Sequence, residues 1–182
     1  MKILEGAYKG RRLFSPLKSK TRPISGVAKQ RVFNLIRGHI DNSDVLDLFA
    51  GTGSVGIEAL SRGCKNVTFI ESNYSAISVI KKNVKDLEAE ERIKIIQFDV
   101  FKYVKVTDEK FDLIFSMPPY QKKYFDRFLE VIDSHPDILR ENGVIVFETS
   151  LRFQKEAFCK NFIVIDELIK GESLFQIWKR KE

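Results

Sequence analysis

The 182-residue chain has little of what would indicate export, a membrane or a metal centre. Its only two cysteines, Cys64 and Cys159, are widely separated and lack metal-ligand spacing, so we expect reduced packing residues and no metal site. It has no apolar run of about 18 residues, and its start does not resemble a signal peptide. We therefore expect a cytoplasmic protein without a membrane partner.

Neither internal repeats nor low-complexity segments are visible in the sequence. With 43% hydrophobic residues, the chain is long enough for one well-formed core and short for two. We predict a small basic N-terminal hairpin and linker over residues 1–25, followed by one α/β domain over residues 26–182. We expect the protein to act as a monomer.

Acidic residues are scarce at the N-terminal end. Residues 1–40 contain ten basic side chains and one acid, Glu5, a net charge of +9, whereas the whole chain carries only +6. A basic segment on a mildly acidic domain is typical of binding to a phosphate backbone, although a solvated face is the alternative. The candidate contacts to nucleic acid are Lys9, Arg11, Arg12, Arg22 and Arg31.

A nucleoside-cofactor site is predicted between Asp44 and Glu71. The apolar run Val45–Phe49 indicates a strand, a helix begins at Ser54, and glycines occupy the turn between them. Glycine there permits positive φ and close approach of a ligand, and the helix N-terminus offers unpaired N–H groups. Glu71 ends the next predicted strand about 20 residues on, the usual distance for a carboxylate that binds ribose hydroxyls.

Two cofactors are candidates for this site, a dinucleotide and S-adenosylmethionine. The spacing Gly51-x-Gly53-x-x-Gly56 matches the dinucleotide fingerprint, but Asp47 would then face the negative charges of a pyrophosphate. S-adenosylmethionine has a sulfonium, an ammonium and no phosphate, so Asp47 can balance its positive charge. We predict S-adenosylmethionine; the alternative is that Asp47 only caps a turn. The candidate cofactor-binding residues are Asp47, Phe49, Gly51, Gly53, Glu71, Asp99 and Phe101.

The last two of these residues follow the third predicted strand, Ile93–Phe98. Asp99 can reach the adenine amino group there, and Phe101 could cover the ring. The alternative for Asp99 is an ordinary helix N-cap.

A rigid aromatic loop follows the fourth predicted strand, Phe111–Phe115. It reads Ser116-Met117-Pro118-Pro119-Tyr120, and its adjacent prolines impose extended geometry and remove two donors. Carbonyl groups are therefore left to accept, and an aromatic ring projects from a fixed loop. A flipped base needs such stacking and such acceptors for its amine.

These motifs resemble the class I methyltransferases that modify exocyclic amines, whose fourth motif is Asp or Asn followed by Pro-Pro-Tyr. The likeness to the 16S ribosomal RNA guanine-N2 methyltransferase family, ribosomal RNA small-subunit methyltransferase D, is closer and runs nearly end to end. It implies methyl transfer from S-adenosylmethionine to a guanine amino group of 16S rRNA, in a small ribosomal subunit or an assembly intermediate. The most specific segments are Gly6-x-x-Lys9-Gly10-Arg11-Arg12-Leu13, Thr21-Arg22-Pro23, Arg31-Val32-Phe33-Asn34-Leu35, Leu46-Asp47-Leu48-Phe49-Ala50-Gly51-Thr52-Gly53 and Gly56-Ile57-Glu58-Ala59-Leu60-Ser61-Arg62-Gly63.

One position departs from the family pattern, because Met117 stands where the family has Asp or Asn. In the family, that oxygen accepts a hydrogen bond from the target amine, whereas a thioether is only a weak acceptor. The Pro118 carbonyl can still hold the amine. The candidate catalytic residues are therefore Met117, Pro118, Pro119 and Tyr120, and a catalytically weak RNA-binding or ribosome-assembly factor of the same fold is the alternative.

Predicted strands and helices alternate along the chain. This order implies a doubly wound, Rossmann-like, seven-stranded sheet with helices on both faces, closed by an antiparallel hairpin over residues 163–178. Residues 1–14 suggest a small hairpin, and a helix is predicted from Val27 to about Ile40 with Lys29 and Arg37 in solvent.

Overall fold

The computed structural model describes residues 1–15, 24–153 and 159–181. The strands are β1 (Asp44–Leu48), β2 (Asn66–Glu71), β3 (Ile93–Gln97), β4 (Phe111–Ser116), β5 (Leu139–Ser150), β6 (Phe162–Lys170) and β7 (Ser173–Arg180). The α-helices are α1 (Gly26–Leu35), α2 (Ser54–Ser61), α3 (Tyr74–Lys85), α4 (Val100–Val106) and α5 (Lys122–Ser134). Within these described ranges, no helix is both long enough and apolar enough to span a bilayer.

The strands form one sheet in the order β3-β2-β1-β4-β5-β7-β6. Strands β1 to β5 run parallel, while β7 is antiparallel to both β5 and β6. The order reverses between β1 and β4, which is where open α/β sheets bind their ligands. The predicted doubly wound, seven-stranded sheet with a closing hairpin is therefore confirmed.

The two faces of the sheet bury separate apolar clusters. Alternate residues of one strand point to opposite faces, so Leu113 and Phe115 of β4 lie in the first cluster and Ile114 lies in the second. Helices α1, α2 and α3 cover the first cluster, and α4 and α5 cover the second. Both faces are thus closed, and the ends of the parallel strands are left for a site.

Two helices differ from the prediction. Helix α1 ends at Leu35, and a short 3-10 helix over Arg37–His39 replaces the predicted continuation to Ile40. Helix α4 was not predicted, because its short sequence is rich in valine, which has low helix propensity. Its start is stabilised by Asp99, which accepts a hydrogen bond from Lys102 N.

The N-terminal segment packs onto the sheet domain and contributes to its core. A bridge joins Lys2 to Arg12, and backbone hydrogen bonds from Ile3 N to Arg11 O and from Leu13 N to Met1 O link the same two arms of the segment. Ile3 and Leu13 are 1% and 5% exposed and belong to the first cluster. Residues 1–15 therefore share a core with the helices of that face.

Lys29 is buried, which corrects the prediction that it lies in solvent. It is 3% exposed, and its Nζ lies 3.0 Å from Oε2 of Glu58, which is 0% exposed. The same carboxylate binds Arg62 Nε at 2.9 Å and accepts from the backbone N–H groups of Leu4 and Glu5. The physical reason is that the N-terminal segment covers Glu58, and a buried carboxylate requires cationic partners.

Candidate cofactor and substrate site

Three of the predicted acidic residues lie along one edge of the sheet. Asp47 is the fourth residue of β1, Glu71 ends β2, and Asp99 lies two residues beyond β3. These strands are parallel neighbours, so their carboxyl ends meet at the same edge. The structure therefore brings the predicted cofactor-binding acids to the carboxyl edge of the sheet, on the β1 side of the switch point.

The loop after β1 is shaped by left-handed backbone at three alternate positions. Phe49, Gly51 and Gly53 have φ values of 59°, 56° and 76°. A Cβ on Gly51 would have only the Phe49 carbonyl oxygen within 4 Å, at 3.9 Å, whereas one on Gly56 would lie 2.4 Å from the Phe69 ring. Gly51 thus leaves backbone open to a ligand, and Gly56 allows α2 to pack closely against β2.

Glu71 ties this loop to the loop that follows β2. Its Oε2 accepts a hydrogen bond from Gly51 N at 2.8 Å, and its Oε1 accepts one from Asn73 N at 2.9 Å. The carboxylate is therefore fixed in place beside the open backbone of Gly51. A carboxylate oxygen can accept more than one hydrogen bond, and the contact of Glu71 with ribose hydroxyls stays a prediction.

Asp47 is buried behind the loop. It is 3% exposed, and its Oδ2 accepts a hydrogen bond from Gly56 N at 2.9 Å. Burial, together with the negative charge of Glu71, raises the pKa of Asp47 to about 8 against the opposing effect of the Gly56 N–H bond. The capping contact considered as the alternative is thus present, and a direct contact of Asp47 with the cofactor stays a prediction.

The sequence predicted Phe101 as the ring that covers the adenine, but the structure buries Phe101 and exposes Phe98. Phe101 is 3% exposed and packs against the rings of Phe49 and Tyr124, at centroid distances of 5.6 and 6.0 Å. Phe98, which was predicted to end the third strand, is 40% exposed and adjacent to Asp99. The burial of Phe101 leaves Phe98 as the exposed aromatic side chain next to Asp99.

The fourth strand brings the proline loop to the same edge. Leu48 of β1 pairs with Ser116 of β4, so Met117 begins directly beside the glycine loop. Ser116 is fully buried, and its Oγ has no hydrogen-bond partner among the described residues. A buried hydroxyl of this kind at a strand end is a candidate ligand contact.

Each residue of the proline loop has its own environment. Met117 is half-buried and packs on the first cluster, Pro118 is buried and Pro119 is exposed. The half-buried Tyr120 donates a hydrogen bond to Glu148 Oε1. Glu148 was not identified from the sequence, because it lies 28 residues away from Tyr120.

The described residues among the predicted RNA contacts belong to the N-terminal segment and α1, which pack on the first cluster. Lys9, Arg11, Arg12 and Arg31 are all exposed, while Arg22 lies outside the described residues. The Arg11 guanidinium donates a hydrogen bond to the carbonyl of Asp86. The basic segment borders the cofactor loop, because Asn83 donates both to Phe14 O and to Thr52 O.

The chain is similar in sequence to proteins with rRNA methyltransferase names. It is 35% identical over 151 residues to the "Putative rRNA methyltransferase YlbH" of Bacillus subtilis, with 81% of this chain and 82% of the relative covered. It is 31% identical over 152 residues to the Ribosomal RNA small subunit methyltransferase D of Haemophilus influenzae, with 82% and 78% covered.

Solved structures share the fold over the whole chain. The structure described as "Putative methyltransferase yhhF from Escherichia coli" superposes with a TM-score of 0.88 at 21% identity, covering 100% of this chain and 98% of that one. The structure described as "putative methylase HI0767 from Haemophilus influenzae" gives a TM-score of 0.81 at 28% identity, with the same coverage.

The doubly wound sheet, the glycine loop and the acidic edge define the class of S-adenosylmethionine-dependent class I methyltransferases. The open backbone at Gly51 beside the Glu71 carboxylate suits a ligand with ribose hydroxyls. Within this class, the chain belongs to the family described as conserved hypothetical protein 95, whose sequence model matches residues 1–179.

Proposed function

We propose that the protein transfers a methyl group from S-adenosylmethionine to the exocyclic N2 amine of a guanine in 16S rRNA, within the small ribosomal subunit or an assembly intermediate. The observation that carries the proposal is the adjacency of the glycine loop and the proline loop, since Leu48 pairs with Ser116. The names of the relatives, rRNA methyltransferases in both cases, support RNA as the substrate.

The cofactor edge has a residue for each part of the cofactor. Glu71 would hold the ribose hydroxyls, the open backbone at Gly51 would lie against the methionine portion, and Asp99 with Phe98 would take the adenine. When bound, S-adenosylmethionine supplies an electrophilic methyl group on a sulfonium. The Glu71 and Asp99 carboxylates at this edge favour that positive charge over a phosphate-bearing cofactor.

The proline loop would hold the base that carries the target amine. Tyr120 stacks on the guanine, and the Pro118 carbonyl accepts a hydrogen bond from the amine, since adjacent prolines leave that carbonyl without local donors. The amine is a weak nucleophile because its lone pair is delocalised into the ring. An acceptor on its N–H group orients the nitrogen and stabilises the positive charge that develops there before a proton leaves.

The basic N-terminal segment would hold the RNA backbone beside this site. Lys9, Arg11 and Arg12 are exposed on a segment hydrogen-bonded to Asn83, which also contacts the glycine loop. Arg31 of α1 is exposed on the same face. Phosphate contacts there would place the target nucleotide near the proline loop without reading its sequence.

The proposal is tested by transfer of a labelled methyl group to small subunits from cells that lack this gene. We expect one labelled guanine in 16S rRNA, identified as N2-methylguanine by mass spectrometry of nucleosides. Binding of subunits without any transfer would instead indicate an assembly factor. Calorimetry with S-adenosylmethionine and with NADH measures the cofactor choice separately from the RNA substrate.

A further inference from the structure

The Tyr120 ring is anchored at its hydroxyl end by two other strands. The hydroxyl donates to Glu148 Oε1 of β5, and its oxygen lies 2.5 Å from Ser173 Oγ of β7. Because the phenol has a single proton and gives it to the carboxylate, the serine hydroxyl is the donor in the second contact. The tyrosine oxygen therefore both donates and accepts.

Both partners of Tyr120 are held by the sheet. Glu148 and Ser173 are each 8% exposed. Strands β5 and β7 pair over this region, with Glu148 opposite Phe175. The anchor is therefore rigid, while the loop that carries Tyr120 lies outside any helix or strand.

Glu148 also lies near Met117, the residue that departs from the family pattern. Ser116 pairs with Phe147, so the chain leaves β4 at Met117 next to the position of Glu148 on β5. Met117 offers only a weak acceptor, so the target base depends more heavily on the stacked ring and the Pro118 carbonyl for its orientation. A ring that could swing about its side-chain torsions would hold the base poorly.

We propose that Glu148 is a positioning residue for methyl transfer, and that with Ser173 it fixes the Tyr120 ring in the orientation that stacks on the target guanine. This inference rests on the proposed function. The carboxylate acts through the tyrosine and takes no part in the transfer itself. Its contribution is the pre-organisation of one side chain that contacts the substrate.

The test is a double-mutant cycle in single-turnover methylation of undermethylated small subunits. Glu148→Ala and Tyr120→Phe should each slow transfer by on the order of 10- to 100-fold, as misplacement of a substrate contact does. The double variant should be no slower than the slower single variant, because both changes remove the same contact. Glu148→Gln keeps an acceptor oxygen and should retain most of the rate.

Matched controls separate positioning from general stability. Glu141 lies on the same strand, β5, but is exposed at its opposite end, so Glu141→Gln should leave the rate unchanged. Affinity for S-adenosylmethionine should be equal in all variants. Additive losses in the cycle would show that Glu148 acts independently of Tyr120 and would overturn the proposal. If Glu148→Ala does not fold, the cycle is run with Ser173→Ala and Tyr120→Phe, and the same additivity would overturn it.

A second measurement needs no RNA. A carboxylate that accepts the phenolic proton favours the neutral phenol, so in an alkaline absorbance titration the Tyr120 transition should move to lower pH in Glu148→Gln. Tyr120→Phe identifies that transition by its loss. No movement would overturn the positioning role. If the parent protein methylates no subunit, the proposed function fails; if the parent is active and Glu148→Ala matches its rate, only the positioning role fails.

Discussion

Gly6 lies so close to Ser61 that a Cβ atom on Gly6 would fall 1.7 Å from the Ser61 carbonyl oxygen. Around this contact, Ala7 N donates to Ser61 O and Tyr8 N donates to Ser61 Oγ. Two of the segments that carry the family resemblance, one beginning at Gly6 and one ending at Gly63, therefore meet in space. Their shared role is to dock the basic N-terminal segment onto α2.

Replacement of Gly6 by alanine should detach this segment. Its φ of +87° is strained for alanine, and the Cβ would overlap backbone, so we expect a loss of at least about 2 kcal/mol in the free energy of unfolding. Gly10→Ala is the matched control, because its φ is +88° but its Cβ would meet only Lys2 Cε, at 3.9 Å. Urea unfolding of both variants measures the difference, and equal losses would show that the close approach to Ser61 is unimportant.

The buried ion pair under this segment gives a second prediction. Lys29→Ala would leave Glu58 buried with one cation fewer, and breaking such a pair typically costs about 3 to 5 kcal/mol. Arg31→Ala, two residues along the same helix, removes an exposed cation and should change stability by less than about 0.5 kcal/mol while weakening RNA binding. Thermal unfolding and an RNA-binding assay of both variants test whether Lys29 supports stability and Arg31 supports RNA binding. Similar losses of stability in both would contradict the buried role of Lys29.

The contrast between Lys29 and the glycine loop shows what sequence can predict here. Strand β1, its glycine turn, α2 and β2 are specified by local periodicity and by glycines at the turn, so their order and the place of Glu71 could be read directly. The burial of Lys29 depends on Glu58, 29 residues further on, and on a segment that covers both. The Tyr120 contacts span 28 and 53 residues. No local pattern encodes such pairs.

The raised pKa of Asp47 predicts a pH dependence of stability. Its pKa is about 8 in the folded protein, against an ordinary value of 3.8, because of burial and the charge of Glu71. Between these values the folded state holds a proton that the unfolded state has lost. The stabilising contribution is therefore fully present below the ordinary value and is lost as the pH rises towards 8.

Asp47→Asn should remove this dependence. Relative to the parent, the variant should gain roughly 1.4 kcal/mol of unfolding free energy per pH unit between about pH 5 and pH 7, measured by urea unfolding. Asp44→Asn is the control: although burial alone would raise the Asp44 pKa, the hydrogen bonds from Asn66 and Arg140 lower it, so its profile should parallel the parent's. If the free energy of unfolding of Asp47→Asn changed with pH in parallel with that of the parent, the raised pKa of Asp47 would be ruled out.

The basic residues at the N-terminal end of the sequence predict a salt dependence of RNA binding. Replacing Arg11, Arg12 and Arg22 by alanine together should flatten the log-log slope of affinity against salt by up to about three units, if each contacts one phosphate. Binding of S-adenosylmethionine should not change. A triple variant of exposed lysines elsewhere, at Lys65, Lys110 and Lys160, is the control and should keep the parent slope. If the slope of RNA affinity against salt were unchanged in the arginine variant, the basic segment would be a solvated face that does not contact RNA.

The last prediction is that Met117 limits the rate of methyl transfer. Tyr120 is anchored to Glu148, and the Pro118 carbonyl remains to accept from the amine, but residue 117 brings a half-buried thioether where an acceptor oxygen would orient the nitrogen. Loss of one positioned polar group at a reacting centre typically costs about 2.7 to 4 kcal/mol, a factor of roughly a hundred to a thousand in rate.

Met117→Asn and Met117→Asp should therefore raise single-turnover methylation of undermethylated subunits by at least about tenfold, with cofactor affinity unchanged. Met117→Leu is the matched control, since it keeps the packing against the first cluster and offers no acceptor. It should be no faster than the parent. If neither polar variant is faster, the Pro118 carbonyl and the anchored Tyr120 ring are sufficient to orient the amine, and residue 117 has only a packing role.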